Sequence, residues 1–376
     1  YTRLPMSEDM RLSGGVAVAR ERRRLASLLD VRRIYLEPAV HAHPRGREIL
    51  ARFSGAELIE VASHWRIPDL FGNEGAARDW VRNKRTVLVL GVKKAMTIRP
   101  NGRSADYIAP GASNGCALAC VYCYVPRRKG FANPITTFVN IGQICAAIER
   151  HALKLGPRRE PGQTDPHRWV YDIGENGDAS VDDLISGNVR DQIELFRRLP
   201  NAKGSFATKY VNRDLLAQDP RGGMRIRFSM LPQRPAKLLD VRSSPMGERI
   251  RAVEDFVQAG WEVHLNFSPV VVYDGWTADY IRLFQELNDT LSPAAKAQAK
   301  AEVIFLTHNA DLHDVNLEWH PKAEDMLWSP RLQETKRSEN GQENLRYRAA
   351  LKARMVRMFL DLMAEHLPWC PVRYAF

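Results

Sequence analysis

Cysteine is scarce in this chain: five residues in 376, an odd number, with three of them between positions 116 and 123. So few and so clustered, they exclude a disulfide framework and point to metal binding in a reducing compartment. Long hydrophobic runs are missing too. No stretch approaches the roughly 18 apolar residues of a membrane span, so no membrane partner is predicted. The arginine-rich start, RERRRLASLLD, has too little apolar length for a secretory signal, and a cytoplasmic location is expected. The chain begins at Tyr1, which leaves the native start open. No fixed-period repeat and no low-complexity segment is visible, and 44% hydrophobic with 26% charged residues excludes a disordered or collagen-like chain. Acidic residues are outnumbered, 44 against 55 basic ones, for a net charge of +11. That excess favours polyanionic partners, nucleic acid first, although a merely basic enzyme shows the same balance.

At roughly 150 residues per domain, the length suggests two domains or one large α/β domain with an extension. A basic arm is expected over 1–31, with Arg20, Arg22, Arg23 and Arg24, followed by a small α/β extension over 32–100. There RRIYLEP, GREILARFSG and AELIEVA read as a βαβ unit, and RTVLVLGV as a buried strand. From about 101 to 310 the short apolar runs SADYIA, RWVYDIG, GSFATK, RIRFSM, VHLNFSPV and VIFLTH alternate with amphipathic segments of helical length. Alternation of this kind implies parallel βαβ units, about six of them, in an open or closed barrel; a doubly wound sheet is the alternative. Functional side chains then belong at the C-terminal strand ends. Residues 311–376 read as a polar loop or hairpin, a final helix and a terminal strand.

The informative stretch is SNGCALACVYCYVP, with Cys116, Cys120 and Cys123 spaced C-x3-C-x2-C. Three thiolates on one short loop can ligate three irons of a cubane cluster, leaving the fourth iron open to a small molecule. A zinc ion completed by a distant side chain is the alternative, but no C-x-x-C partner pair follows, and His264, His308 and His313 form no metal spacing.

The loop resembles the signature of radical S-adenosylmethionine (SAM) enzymes, and the wider sequence is similar to the spore photoproduct lyase family. YLEPAVHAHPRGREI, VLVLGVKK, SADYIAPGASNGC, SSPMGERIRAVEDFVQAGW and VVYDGWTADYIRLFQEL carry that likeness, which runs from about Tyr35 to the last strand. It implies a partial (β/α)6 barrel, a 4Fe-4S cluster on Cys116, Cys120 and Cys123, and SAM on the open iron. It implies a lyase reaction on UV-damaged DNA, with a flavodoxin or ferredoxin as reducing partner. Tyr122 and Tyr124 match tyrosines that relay the radical, and Tyr124 also follows the last cysteine as an aromatic beside SAM. Lys209 and Ser229 match positions that contact SAM. Gly174, Glu175, Asn176 and Asp178 form an acid- and glycine-containing stretch at a strand end, suited to holding SAM's ammonium or ribose; helix capping by Asp178 or Ser180 is the alternative.

One departure stands out. The lyases carry a hydrogen-donating cysteine at the end of the second barrel strand, whereas here WVYDIGENGDASVDD contains none, and Gly174 or a neighbour takes the place. Cys145 and Cys370 are expected to be buried structural residues. Asp172, Asn266, Ser268 and Thr307 are further candidates to face the barrel interior. Trp276 and Tyr347 are candidates for stacking at its mouth. Arg127, Arg128, Lys129, Lys93, Lys94, Lys336, Arg337, Arg346 and Arg348 are candidate phosphate contacts. Besides lesion repair, two readings stay open at this point: radical chemistry on another nucleic-acid lesion, an RNA base or a peptide, and a non-catalytic metal-containing DNA-binding protein. Replacing Cys123 by alanine is expected to abolish SAM cleavage and leave the fold intact. Release of 5′-deoxyadenosine, with circular dichroism as the folding control, checks this; retained cleavage contradicts the ligand assignment.

Overall fold

The computed structural model describes residues 28–65, 67, 70, 77–123, 125, 133–337 and 343–376. The four arginines of the expected basic arm lie outside them. Among the described residues, β1 (Arg33–Leu36) and β2 (Glu57–Glu60) are parallel and joined by the helix Pro44–Arg52, the βαβ unit read from the sequence. Pro44 opens that helix at a position where no amide hydrogen is needed. β3 (Val87–Gly91) is wholly buried beside β1. The short strands β4 (Arg99–Pro100), β5 (Tyr107–Ile108) and β6 (Ser113–Asn114) lead to the cysteine loop, and β7 (Ile135–Phe138) follows it. β7 pairs with β3, and β6 with β7, in the order β2-β1-β3-β7-β6. The N-terminal sheet therefore takes chain from both sides of the cysteine loop.

The remaining repeats supply β8 (Trp169–Asp172), β9 (Ala202–Thr208), β10 (Met224–Ser229), β11 (Glu262–Val270) and β12 (Ala301–Phe305). Next come β13 (Thr307–Asn309), β14 (Gln333–Arg337), β15 (Glu343–Tyr347) and the terminal β16 (Val372–Ala375). The large sheet runs β16-β12-β11-β10-β9-β8-β5-β4, so the six strands expected from the apolar runs lie side by side in chain order and parallel. Its edges β4 and β16 are not paired to each other, which makes it an open, curled sheet rather than a closed barrel. Helices cover it by their apolar faces. Ile250, Val253 and Phe256 on Met246–Gln258, for example, repeat at helical spacing and are fully buried. The polar segment before the last helix forms a small antiparallel sheet, β13-β15-β14.

The two larger sheets are joined through the helix Ala179–Ser186, every residue of which is buried. Its Asp182 accepts hydrogen bonds from Thr137 Oγ1 on β7 at 2.7 Å, Ser186 Oγ at 2.9 Å and Asn188 Nδ2 at 3.2 Å. Burial outweighs these donors and pushes its carboxyl from the ordinary 3.8 up to about 7. The stability this confers is fully present below pH 3.8 and is lost as pH rises through about 7. Asp182→Asn is expected to flatten that part of the stability–pH curve, by up to roughly 1.4 kcal/mol per pH unit. Urea unfolding midpoints taken between pH 3.8 and about 7 check it; an unaltered slope contradicts the assignment.

Candidate active site

The cysteine loop is held by hydrogen bonds from many elements. The Gly115 amide donates to Asn176 O at 2.7 Å, and Gly115 bridges to Gly177. Gly115 has φ +74°, and a Cβ there would lie 2.8 Å from Asn133 Nδ2 and 2.9 Å from Pro134 O, so only glycine fits before the first cysteine. Buried Lys84 donates to Cys116 O at 3.1 Å and Asn133 O at 3.0 Å. The Ala119 and Val121 amides donate to Val241 O and Leu239 O, both at 3.1 Å. Asn316 Nδ2 donates to Val121 O at 2.8 Å. Burial pushes the Cys116 thiol up to about 12 and raises Cys120 further, even though Ser243 Oγ lies 3.5 Å from Cys120 Sγ. Thiolates at such positions require an adjacent cationic centre, as metal ligation provides.

All three thiols open onto a cavity of about 710 Å³ on the inner face of the curled sheet. Tyr122, Gly174, Glu175, Asp178, Lys209 and Ser229 line it as well, as do Asp172, Asn266, Ser268 and Thr307. Lys209 Nζ lies 3.4 Å from Ser229 Oγ and 5.5 Å from the centre of the Tyr122 ring. The Tyr122 hydroxyl donates to the Asp240 carboxylate, and burial raises its pKa well above the ordinary value. Asp240 in turn pairs with Arg249 Nη1 at 2.7 Å. Glu175 pairs with Arg99 at 2.6 Å and accepts from Asn176 Nδ2 at 3.0 Å.

Several expectations are corrected. Asn176 does not line the cavity; its carbonyl anchors Gly115 instead. Asp178 caps the helix Ala179–Ser186, accepting from Ser180 N at 3.1 Å and Val181 N at 3.3 Å, and also binds Thr208 Oγ1 at 2.7 Å and Lys209 N at 3.0 Å. Its carboxylate is therefore used to place Lys209. Trp276 is buried and stacks on Phe359, while buried Tyr347 accepts from Val272 N at 2.8 Å, so neither offers a face to a partner. Cys145 and Cys370 are buried outside the cavity lining, where desolvation pushes each thiol up to about 12. Tyr124, Arg127, Arg128 and Lys129 lie outside the described residues. At Gly174 a Cβ would meet Phe206 Cβ at 3.1 Å.

Sequence reasoning named Asp172 but missed its partners Arg227 and Glu302 in the cavity's charged floor. Arg227 donates to Asp172 Oδ2 at 2.6 Å and Glu302 Oε2 at 2.9 Å, and Glu302 also pairs with Arg373 and Tyr374. Burial opposes the Arg227 charge, but Glu302 and Asp172 outweigh it and hold the guanidinium pKa above its ordinary value. The signal available was the in-phase pair Arg225 and Arg227 on an otherwise apolar strand.

A family model described as spore photoproduct lyase matches residues 30–376. The spore photoproduct lyase of Bacillus subtilis (strain 168) is 27% identical over 274 residues, 72% of this chain and 77% of that protein. That of Geobacillus sp. (strain Y412MC61) is 28% identical over 257 residues, 68% and 72% of the two chains. Among solved structures, a double mutant of spore photoproduct lyase with bound AdoMet and dinucleoside spore photoproduct superposes with a TM-score of 0.80 at 22% identity, over 93% of this chain and 99% of that one. At that identity the superposition establishes a shared fold. Asp178→Ala is expected to destabilise the chain by about 2 kcal/mol or more, because it removes a cap and leaves buried donors unpaired. Equilibrium urea unfolding checks it; unchanged stability would mean the carboxylate is free for a ligand.

Proposed function

Because this chain belongs to the spore photoproduct lyase family, we propose that it is a radical SAM iron–sulfur lyase repairing UV-induced thymine photoproducts in DNA. The observation that carries this reading is the opening of the three loop thiols, Lys209 and Ser229 onto one cavity of about 710 Å³. That volume is within the range of sites enclosing a cofactor and a small ligand. Cys116, Cys120 and Cys123 would hold a 4Fe-4S cluster, which together with SAM would supply a 5′-deoxyadenosyl radical on reduction. Lys209 and Ser229 orient SAM's carboxylate, and Glu175, beside Arg99, faces the same space. Gly177 lets this stretch pack closely on the strand before the cysteine loop: a Cβ there would lie 2.6 Å from Ser113 Oγ.

The damaged dinucleotide leaves the helical stack to enter, at a cost of a few kcal/mol that damage lessens, and the basic charge of the chain favours the phosphates. The Asp172–Arg227–Glu302 floor offers donors and acceptors for its base edges. The Asp240 carboxylate that accepts the Tyr122 hydroxyl could take its proton as one electron passed from Tyr122 to a neighbouring radical, which would suit Tyr122 to relaying a radical with Tyr124. An acidic one-electron carrier of the flavodoxin or ferredoxin kind reduces the cluster. A second reading, radical repair of a different nucleic-acid lesion, is favoured by one observation: the cysteines lining the cavity are the three of the loop, so no further thiol faces a substrate radical. Anaerobic incubation of cluster-reconstituted protein with SAM, a strong reductant and DNA carrying the spore photoproduct tests the two. Mass spectrometry is expected to show 5′-deoxyadenosine and restored thymine. Deoxyadenosine without thymine would favour the second reading, and neither product would overturn both.

A further inference from the structure

Three side chains that this reaction does not use meet behind the cavity wall. His308 is in β13, His313 on the helix Ala310–Trp319 and Glu324 on the helix Pro321–Leu327. Their ligand atoms all lie within 4.8 Å of one another. His308 Nε2 is 3.0 Å and His313 Nδ1 2.5 Å from the same carboxylate oxygen, Glu324 Oε2. The His308 and Glu324 side chains are buried, at 0% and 3% exposure, while that of His313 keeps 16% and forms the route in from solvent. The supports are in place: the His313 ring stacks on Trp328 at 3.7 Å and 11°, and Asn316 Nδ2 donates to Glu324 Oε1 at 2.5 Å. His308 Nδ1, on the other side of its ring, is buried with no hydrogen-bond partner. Burial would raise the Glu324 carboxyl, but the His308, His313 and Asn316 donors reverse this and hold it below its ordinary value, ionised.

We propose that His308, His313 and Glu324 form a second metal site, separate from the cysteine loop, for a divalent ion of the zinc class. Two imidazoles and a carboxylate are a borderline donor set that zinc accepts, with water as fourth ligand. Bonds of about 2.0–2.1 Å place tetrahedral ligand atoms roughly 3.3 Å apart, so only a small outward shift, chiefly of the partly exposed His313, admits the ion. Each imidazole then binds through its lone pair and carries its proton on the other nitrogen. The site ties three pieces together. Thr307 and Asn309, which flank His308, line the cavity, and Asn316 bridges Glu324 to Val121 O in the cysteine loop. An ion here clamps the small antiparallel sheet and both helices to that loop.

The test uses the full chain with its cluster reconstituted, titrated with zinc chloride and freed of excess by gel filtration. Elemental analysis is expected to find one zinc per chain in addition to iron. His313→Ala should lose the zinc and keep the iron. By competition with a chromophoric chelator, its zinc affinity should fall by more than the roughly 10–100-fold cost of losing a supporting contact. Zinc should also raise the unfolding temperature of the parent and not of His313→Ala, which controls for a variant that merely folds poorly. Glu324→Gln gives an independent repeat of both readings. Zinc at buffer background in the parent, or equal zinc in parent and His313→Ala, would overturn the proposal. Neither result bears on whether the lesion is repaired, so the two readings fail separately.

Discussion

The cysteine loop carries Cys116 and Cys120 into surroundings that disfavour a thiolate, and burial is the largest cause that pushes Cys116 up to about 12. Ligation at such a place depends on charge compensation by the metal centre, and on a loop backbone that is satisfied before the metal arrives. Lys84, Leu239, Val241, Asn176 and Asn316 supply that satisfaction from separate parts of the chain. The N-terminal sheet and the large sheet must therefore both be in place for the loop to take its shape. Gly115 is the pivot, since its positive φ and the closeness of Asn133 and Pro134 exclude any side chain.

Across the cavity the same constraint appears with the opposite sign. Arg227 is buried on β10 between Asp172 and Glu302, whose strands β8 and β12 lie on either side of it in the sheet. A lone buried guanidinium would be costly, and each acid would be costly without it, so the three stand or fall together. Their arrangement links three strands of the sheet and presents a polar floor to whatever enters. Tyr374 on β16 extends the floor to the sheet edge through Glu302.

Much of this was legible in the residues. The six apolar runs became adjacent parallel strands in chain order, because each is a β-branched or aromatic segment bounded by turn formers and followed by an amphipathic helix. Lys209 and Ser229 could be placed at strand ends for the same reason, since a parallel sheet gathers its C-terminal ends on one side. Asp178 could be cap or ligand by sequence, since a carboxylate before a helix serves as either, and the structure gives it four donors, two of them in the cap, at the cavity lining. Trp276 and Tyr347 were misplaced because an aromatic ring carries no mark of the face it will bury.

The histidines illustrate the limit most clearly. His308 and His313 have no ligand spacing along the chain, and Glu324 is one acid among 44 acidic residues. A strand and two helices bring them together. By itself the sequence determined what depends on local order: the C-x3-C-x2-C loop, the strand–helix alternation and the identity of the family. Tertiary structure alone decided which side chains share the cavity, which acids are already engaged and which histidines meet. Those outcomes turn on contacts between residues tens to hundreds of positions apart, made only when the sheets close around their buried charges.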